Sequence, residues 1–557
     1  MTNTANFSSA GEQSADTWRA LRVTVPADRL EPLLTTAVDA WAAEARGTGG
    51  LGGWYFERPG ADGTVLDLRL RGAGGHAIDD LRRRVAAFGA GAPGAITVEE
   101  HAPGPDAARF GGVHGMAACA PHLAAAGALA VETLRETPSP ATRLLAAGEL
   151  LLASAWAMGA DWLTTIGWLR GYTCGRARTA EAARARDAAE TAYFRDEATW
   201  RHHHDRVRAE ISAPNSRAGA WYVPQCAAWA ALRRLHRAGR LDGTPEAAFR
   251  ALARSACNRL GLTPEEEIRV AWLWSMTLVA PGPRRPFFAD TAASPDRRLH
   301  EESKYFADRL PVQVPDMAAG SAGGRQDVGT PQEVVRLPEP AAPDAAAPLE
   351  EVLLARRSAY GRYRGPFTSA ELGTLLYYSA AETAGKTMAG AESAQRVRTY
   401  PSGGTRYPLR LLAYCHDVEG LRRGMYLYDP AAHALGRLVD GDLSAGLMRM
   451  APATDPRVPS PPKAGGNIDA ADCPLWILMV ADLTYQRRHY GLRSYRLVMQ
   501  ESGHLGQNIA LVATWLGKAS VGLGGFYDDT VNQVLGLDGV NSAVVYVHLV
   551  GTVEPDA

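Results

Sequence analysis

From Gly115 to Leu278 apolar residues recur at spacings of three and four almost without a break, and at Pro281–Pro286 that rhythm stops. A chain that carries one long helical texture and then a different one has to build more than one core. Its length of 557 residues says the same, since a single core rarely serves so many. ATRLLAAGELLLASAWAM and EEEIRVAWLWSMTLVA show the helical spacing. Ahead of them, residues 17–27 (with WRALRVTV) and 51–71 (WYFERPGADGTVLDLRLRG) alternate apolar and polar residues around a Gly/Asp turn, which predicts strands, and Leu30–Ala45 between them reads as a helix. Residues 316–333 (DMAAGSAGGRQDVGTPQE) are small and aperiodic, a mobile linker by composition, and PEPAAPDAAAP (338–348) is a second low-complexity piece. Beyond it the predicted order is helix EEVLLARRS, helix SAELGTLLYYSA, strand LRLLAYCHDV, hairpin GMYLYDPAAHALGRLV, strand PLWILMVADL, helix YRLVMQESGHLGQNIALVATWLG, a Gly-rich turn and strand SAVVYVHLVG. The expected class is α+β: a mixed, helix-rich N-terminal domain over 1–287, and a C-terminal α+β domain over 288–557 on a mostly antiparallel sheet.

Charge and composition exclude several classes of function. The formal net charge of −1 offers no global attraction to nucleic acid or anionic lipid. The six cysteines are too far apart for a CxxC motif, and their density fits a reducing cytoplasm. The polar start MTNTANFSSAGEQSAD lacks the apolar core of a signal peptide, and Leu144–Leu169, interrupted by Glu149 and Asp161, reads as a buried helix rather than a membrane span. His202-His203-His204-Asp205 suggests a metal, but consecutive helical residues point about 100° apart and do not converge. No metal is expected.

Three C-terminal segments suit a phosphate or a planar cofactor. Arg356-Arg357-Ser358 near a helix end offers guanidinium forks and a hydroxyl. PSGGTRYP (401–408) places Ser402 before two adjacent glycines, Gly403 and Gly404, whose backbone allows close approach. SVGLGGF (520–526) is a glycine-rich turn without the GxGxxG spacing. Each alone is as compatible with a solvated basic pair or an ordinary turn. Their order, together with RLHEESKYF (298–306), LPEP, GMYLYDPAAHALGRL, RHYGLRSYRLVMQESGHLGQNIALVA and GLGGFYDDTVNQVLGLDG, resembles the SagB-type, nitroreductase-like azoline dehydrogenases of ribosomal peptide natural-product pathways. The resemblance implies FMN-dependent oxidation of thiazolines or oxazolines to thiazoles or oxazoles, in a homodimer. It implies FMN contacts from Arg356, Arg357, Ser358, Ser402, Gly403, Gly404, Gln507, Gly524 and Gly525. The family's catalytic Lys-Tyr pair falls on His489-Tyr490, with histidine in place of lysine. Tyr360 stands where the family has a basic residue, a loss that Arg362 is placed to offset. The apolar stripe Val498, Leu505, Ile509, Val512 and Leu516 suits dimer packing and intramolecular core equally.

In the N-terminal half Arg69 and Arg71 alternate on one strand, Arg109 precedes Phe110-Gly111-Gly112, and Asn258-Arg259 comes late on a helix. Surface solvation accounts for each separately. WYFER…LDLRLRG, ARFGGVHGM and CNRLGLTPEEE are similar to the SpaB-type C-terminal domain of lantibiotic dehydratases and thiopeptide enzymes. That family eliminates glutamate from glutamylated Ser or Thr, and the resemblance makes Arg69, Arg71 and Arg109 the catalytic candidates. The family's histidine before CNRL is absent from ARSACNRL (253–260), which leaves His76 or His114 as base, or a domain that has lost elimination. The same fold also hosts pyridine-forming cycloaddition. Fused, the halves resemble the bifunctional eliminase–dehydrogenase of lactazole-like thiopeptide pathways, acting on a ribosomally made precursor peptide alongside other pathway enzymes. Two rivals are a dehydrogenase whose N-terminal half only binds peptide, and a general nitroreductase.

Overall fold

The computed structural model describes residues 18–59, 64–90, 96–101, 106–136, 139–159, 162–174, 180–213, 215–279, 294–304, 329–343, 347–386, 395–458 and 468–554. The stretch 316–328, most of the predicted linker, and the Pro281–Pro286 stop lie outside these residues. The chain divides into two compact units, Met1–Pro283 and Arg284–Ala557.

The first unit opens on a four-stranded antiparallel sheet: β1 (Trp18–Thr24), β2 (Gly53–Glu57), β3 (Val65–Arg71) and β4 (Thr97–His101), in the order β2-β3-β1-β4. The helix expected over Leu30–Ala45 is α1 (Ala27–Leu33), a π-helical turn (Leu34–Val38) and α2 (Asp39–Gly47); Pro32 lies inside α1. A proline withholds a backbone donor and crowds the turn before it, which is reason enough for the ladder to shift there. Leu21, Val23, Trp54, Phe56, Leu66, Leu68 and Leu70 form one buried sheet face, in a core shared with α1, α2 and α3 (Gly75–Gly89). The other face of β2 lies under helices as well, so β2 and β3 are buried on both sides instead of alternating inside and out.

Then come α4 (Asp106–Arg109), α5 (Gly112–Glu136), α6 (Pro140–Ala157), α7 (Trp162–Cys174), α8 (Ala180–Arg195), α9 (Glu197–Glu210), α10 (Arg217–Arg237), α11 (Pro245–Arg259) and α12 (Pro264–Val279), as the periodicity predicts. Leu144–Leu169 is not one helix: α6 ends at Ala157, Met158 caps it, and Gly159 takes the left-handed φ of +67°. By length and composition α5 alone among the described helices could cross a membrane, but 56% of its apolar window is buried within the protein. Its Gly127 brings it against the backbone of Trp54 and Tyr55 on β2.

The second unit is built on a nine-stranded, mostly antiparallel sheet. Its strands are β5 (Glu333–Arg336), β6 (Gly361–Arg364), β9 (Leu409–Cys415), β10 (Gly424–Asp429), β11 (Ala434–Asp440), β12 (Ile468–Asp469), β13 (Leu475–Asp482), β14 (Ala519–Leu523) and β15 (Ser542–Glu554). Their order is β12-β6-β15-β13-β9-β10-β11-β5, with β14 also on β15 and only β12–β6 parallel. β7 (Glu382–Lys386) and β8 (Gln395–Arg398) pair apart from it. The helices are α13 (Pro295–Glu302), α14 (Leu349–Ala355), α15 (Ser369–Ala380), α16 (Ser444–Met448), α17 (Leu483–Tyr490), α18 (Arg493–Trp515) and α19 (Asp528–Leu535). Leu411, Ala413, Ile477 and Met479 pack with α15 and α18; Leu412, Tyr414, Trp476 and Leu478 face the opposite core with Leu447 and Val531. The stripe on α18 resolves accordingly: Val498, Leu505 and Ile509 are wholly buried inside this unit, with Val512 and Leu516 packed against the same core. The architecture is the α+β class expected.

Candidate functional site

In the first unit the polar residues of the sheet share a face by register. Tyr55 pairs with Arg69, Glu57 with Asp67 and Gly53 with Arg71, so Arg69, Arg71, Glu57 and Asp67 point the same way. Arg22 clamps Asp67 through Nε and Nη2, at 2.8 and 2.9 Å. Arg69 is buried opposite Tyr55, and Arg71, at the strand end, donates to the Gly52 carbonyl at 3.2 Å. Arg109 reaches this face through Glu57, at 2.9 and 3.1 Å. Gly111 and Gly112, both at φ +84°, turn the chain from α4 into α5 directly after it, and a side chain on either would run into Leu241 or Asp242.

Ser255, which was not singled out from sequence, and Arg259 of the CNRL motif complete this cluster. Ser255 Oγ donates to Glu57 Oε1 at 2.8 Å. Arg259 is fully buried; its Nε donates to the Phe56 carbonyl at 2.8 Å, its Nη2 to Ser255 Oγ at 3.0 Å, and its guanidinium lies 5.0 Å from the Tyr55 ring centre. Burial lowers Arg259 to about 10. Burial also pushes the Glu57 carboxyl up, but the charges of Arg109 and Arg259 outweigh it and hold Glu57 below the ordinary range. Asn258 brackets Arg58, accepting its backbone N–H at 2.8 Å and donating to its carbonyl at 3.0 Å, so the CNRL motif ties α11 to the end of β2. His76 and His114 are exposed on α3 and α5, and His114 meets Arg240 at 3.1 Å. The buried histidine of this region is His122 on α5, which burial and then Arg259 lower to about 4. The CNRL text pointed to Arg259, whereas nothing local marks His122 or Glu57.

In the second unit the predicted residues fall into two groups. Ser402 precedes a short 3-10 turn (Gly403–Thr405) in which Gly404 has φ +62°. A Cβ on Gly404 would collide with the Tyr490 hydroxyl, and one on Gly403 would lie 3.3 Å from Leu497 of α18. Ser402, Gly403, Gly404 and Tyr490 are therefore one patch, with His489 exposed beside Tyr490 near the end of α17. His489 lies on α17. Asp482 caps that helix, accepting the Tyr485 N–H at 2.9 Å. The second group is Arg356, Arg357, Ser358, Gly524 and Gly525. Arg356 caps α14, Arg357 Nη1 donates to the Leu354 and Arg356 carbonyls at 2.6 and 2.9 Å, and Ser358 bridges Ser520 of β14, with the Ala359 N–H on the Ser520 carbonyl at 3.0 Å. β14 takes up most of the predicted glycine-rich turn, leaving exposed Gly524 and Gly525 beyond it with no atom near where a side chain would begin. Gln507 is exposed on α18, which packs against both α14 and β14. Arg362 joins neither group; it pairs with Asp472 at 2.6 Å and lies 3.8 Å from Asp469. Residues missed from sequence are Glu501 of α18, which accepts the Ser402 hydroxyl at 2.5 Å, and Gln486 of α17, fully buried against Gly403.

No group of three or more His, Cys, Asp or Glu side chains that could hold a metal occurs among the described residues. The glycine turn, with a cradle that a side chain would fill, and the half-buried Arg356 with exposed Arg357 and Ser358 beside β14 are the donor types that suit a flavin's ring edge and phosphate.

Residues 378–552 match the nitroreductase family. A protein of Methanocaldococcus jannaschii named as a nitroreductase is 30% identical over 187 residues, which cover 34% of this chain and 83% of that protein. The chain belongs to the nitroreductase family. Nitroreductases are oxidoreductases that typically bind flavin. The matched span holds Ser402, Tyr490, Gln507 and Gly524, while Arg356–Ser358 precede it. Residues 18–278 match the C-terminal domain of lantibiotic biosynthesis dehydratases. Among solved structures, a nitroreductase-type protein of Anabaena variabilis is 27% identical, with 37% of this chain and 38% of that chain covered and a TM-score of 0.29. This chain thus spans well under half of that relative. The pyridine synthase TbtD from thiomuracin biosynthesis is 19% identical, with 48% of this chain and 98% of that chain covered and a TM-score of 0.38.

Proposed function

We propose that this chain is a bifunctional maturation enzyme for a ribosomally made peptide. In this reading the dehydratase-type unit eliminates glutamate from glutamylated Ser or Thr, and the nitroreductase unit oxidises thiazoline or oxazoline rings with FMN. The observation that carries it is the presence in one chain of a lantibiotic-dehydratase C-terminal match over 18–278 and a nitroreductase match over 378–552. Both would act on one precursor peptide, and tethering raises the effective concentration of the second site for the product of the first.

In the second unit Arg356, Arg357 and Ser358 would hold the FMN phosphate with Gly524 and Gly525, while Ser402, Gly403, Gly404 and Gln507 would line the ring. When bound, the flavin supplies the two-electron oxidant that no side chain provides. What the chain itself must supply is a place for the azoline ring and a path for the proton from its carbon. Tyr490 Oη, against Gly404, and the His489 imidazole beside it are the groups for that work. The nitroreductase kinship of this half supports a homodimer through it. In the first unit Arg69, Arg71 and Arg109 would hold the glutamyl carboxylates and the developing enolate, because guanidinium forks match carboxylate geometry.

One observation favours a second reading, in which the first unit only binds peptide. Neither His76 nor His114 lies on the arginine-bearing sheet face, and both are exposed. Mass spectrometry separates the readings. The protein with FMN and a thiazoline-containing peptide is expected to remove two hydrogens per ring. With a glutamylated peptide it is expected to leave dehydroalanine. Oxidation without elimination would leave the binding reading; flavin binding with neither reaction would leave a general nitroreductase.

A further inference from the structure

Glu501 is a buried acid to which the reading above gives no task. It lies midway along α18 and is 2% exposed. Its Oε2 accepts the Ser402 hydroxyl at 2.5 Å, and its Oε1 has no hydrogen-bonding partner. Ser402 opens the glycine turn, and its Oγ also accepts the Tyr407 N–H at 2.9 Å. Beneath the same turn Gln486 is fully buried, with both amide atoms unpartnered. A serine hydroxyl has one proton to donate. An ionised Glu501 claims that proton and turns it inward, away from the face where Gly404 meets Tyr490. A protonated Glu501 has an O–H of its own to place on Ser402 Oγ, and the serine proton is then available to something else.

We propose that Glu501 takes up a proton when FMN occupies the Ser402–Gly404 turn, releasing the Ser402 hydroxyl to donate to an acceptor oxygen of the flavin. Glu501 is then a positioning residue that acts through Ser402, and the inference rests on the flavin reading of this turn. The balance is one proton taken from solvent per flavin bound: one O–H bond forms on Glu501, and the Ser402 proton changes its acceptor without leaving oxygen. The groups that act on Glu501 allow this. Burial raises its pKa to about 7, against the Ser402 hydrogen bond, the Arg398 charge from β8 and a backbone contact at Leu409. Tyr400 feels the Glu501 charge and is itself pushed above the ordinary tyrosine range, mainly by burial, so it stays neutral. Tyr490, from α17, faces the same turn at Gly404.

Linkage fixes the sign. If the bound state holds the acid, affinity is highest below about pH 7 and falls up to tenfold per pH unit above it. The test is FMN binding to the full-length apoprotein, followed by flavin fluorescence between about pH 6 and about pH 9. In Glu501→Gln an amide N–H stands permanently where the acid proton would be, so the variant is expected to bind at the wild type's low-pH affinity without its decline. The difference between the two profiles removes the titration of the FMN phosphate itself, near pH 6. A direct measurement needs no variant: FMN added to weakly buffered wild-type protein near pH 8 should take up about one proton, read with an indicator dye. No uptake, or an identical decline in Glu501→Gln, overturns the inference and leaves the flavin reading intact. A wild type that binds no FMN at any pH overturns both.

Discussion

At the scale of single residues, two buried basic groups of the first unit meet burial in opposite ways. Arg259 keeps its charge in a dry place by spending its donors on the Phe56 carbonyl and Ser255, with Glu57 beyond. His122 stays neutral instead. Its ordinary value of 6.5 falls to about 4, so below about pH 6.5 the unfolded chain binds a proton that the folded chain refuses. The stability this represents is present above pH 6.5 and is lost as pH falls toward 4. His122→Leu is expected to shrink the loss in urea-unfolding free energy between pH 7 and pH 5 by about 2 kcal/mol. An unchanged loss would mean that His122 does not report this titration. Tyr490 presents a different case, since its hydroxyl lies over Gly404 without anchoring a core. Tyr490→Phe should keep its flavin absorbance and lose azoline oxidation by about 10²- to 10⁴-fold. Wild-type turnover in that variant would remove Tyr490 from the proton path.

At the scale of elements, strong periodicity was readable and weak or polar stretches were not. SAELGTLLYYSA is α15, residue for residue, and Thr368 and Glu371 close a reciprocal capping box at its start. The hairpin β10–β11 was equally plain. Strands β5, β6, β12 and β14 are five residues or shorter, too brief to display alternation, and LTYQRRHY of α17 carries almost no apolar face. Ser402 and Glu501 are 99 residues apart, so nothing local could have joined them, although each lies inside a motif that drew notice for other reasons. The adjacent glycines marked the turn and the resemblance gave it a role; only the fold placed Tyr490 and Gln486 against it. Two glycines make the contrast testable. Gly404→Val forces a side chain at φ +62° into the Tyr490 hydroxyl, and the purified protein should emerge without flavin. Gly503, on the exposed side of α18, meets nothing, so Gly503→Ala should raise stability by roughly 0.5–1 kcal/mol and keep the flavin. Flavin retained in Gly404→Val would separate that turn from the cofactor.

At the scale of the whole molecule, two compact units with separate cores should unfold as two transitions. A ligand held by one unit stabilises that unit alone. FMN at about a hundredfold over its Kd is expected to stabilise the nitroreductase unit by about 2.7 kcal/mol and to raise one calorimetric transition while the other stays. Two transitions that rise together would place the flavin elsewhere or join the units. The helix just before Arg356–Ser358 carries a last consequence. On α14 only Val352 is buried, while Leu349, Leu353 and Leu354 are 68, 49 and 75% exposed. In the proposed homodimer, covering those leucines would steady the arginines that follow them. Retention of the yellow colour would then vary with protein concentration: a stock diluted to nanomolar levels should bleach its cofactor into solution faster than a concentrated one, at the same free flavin.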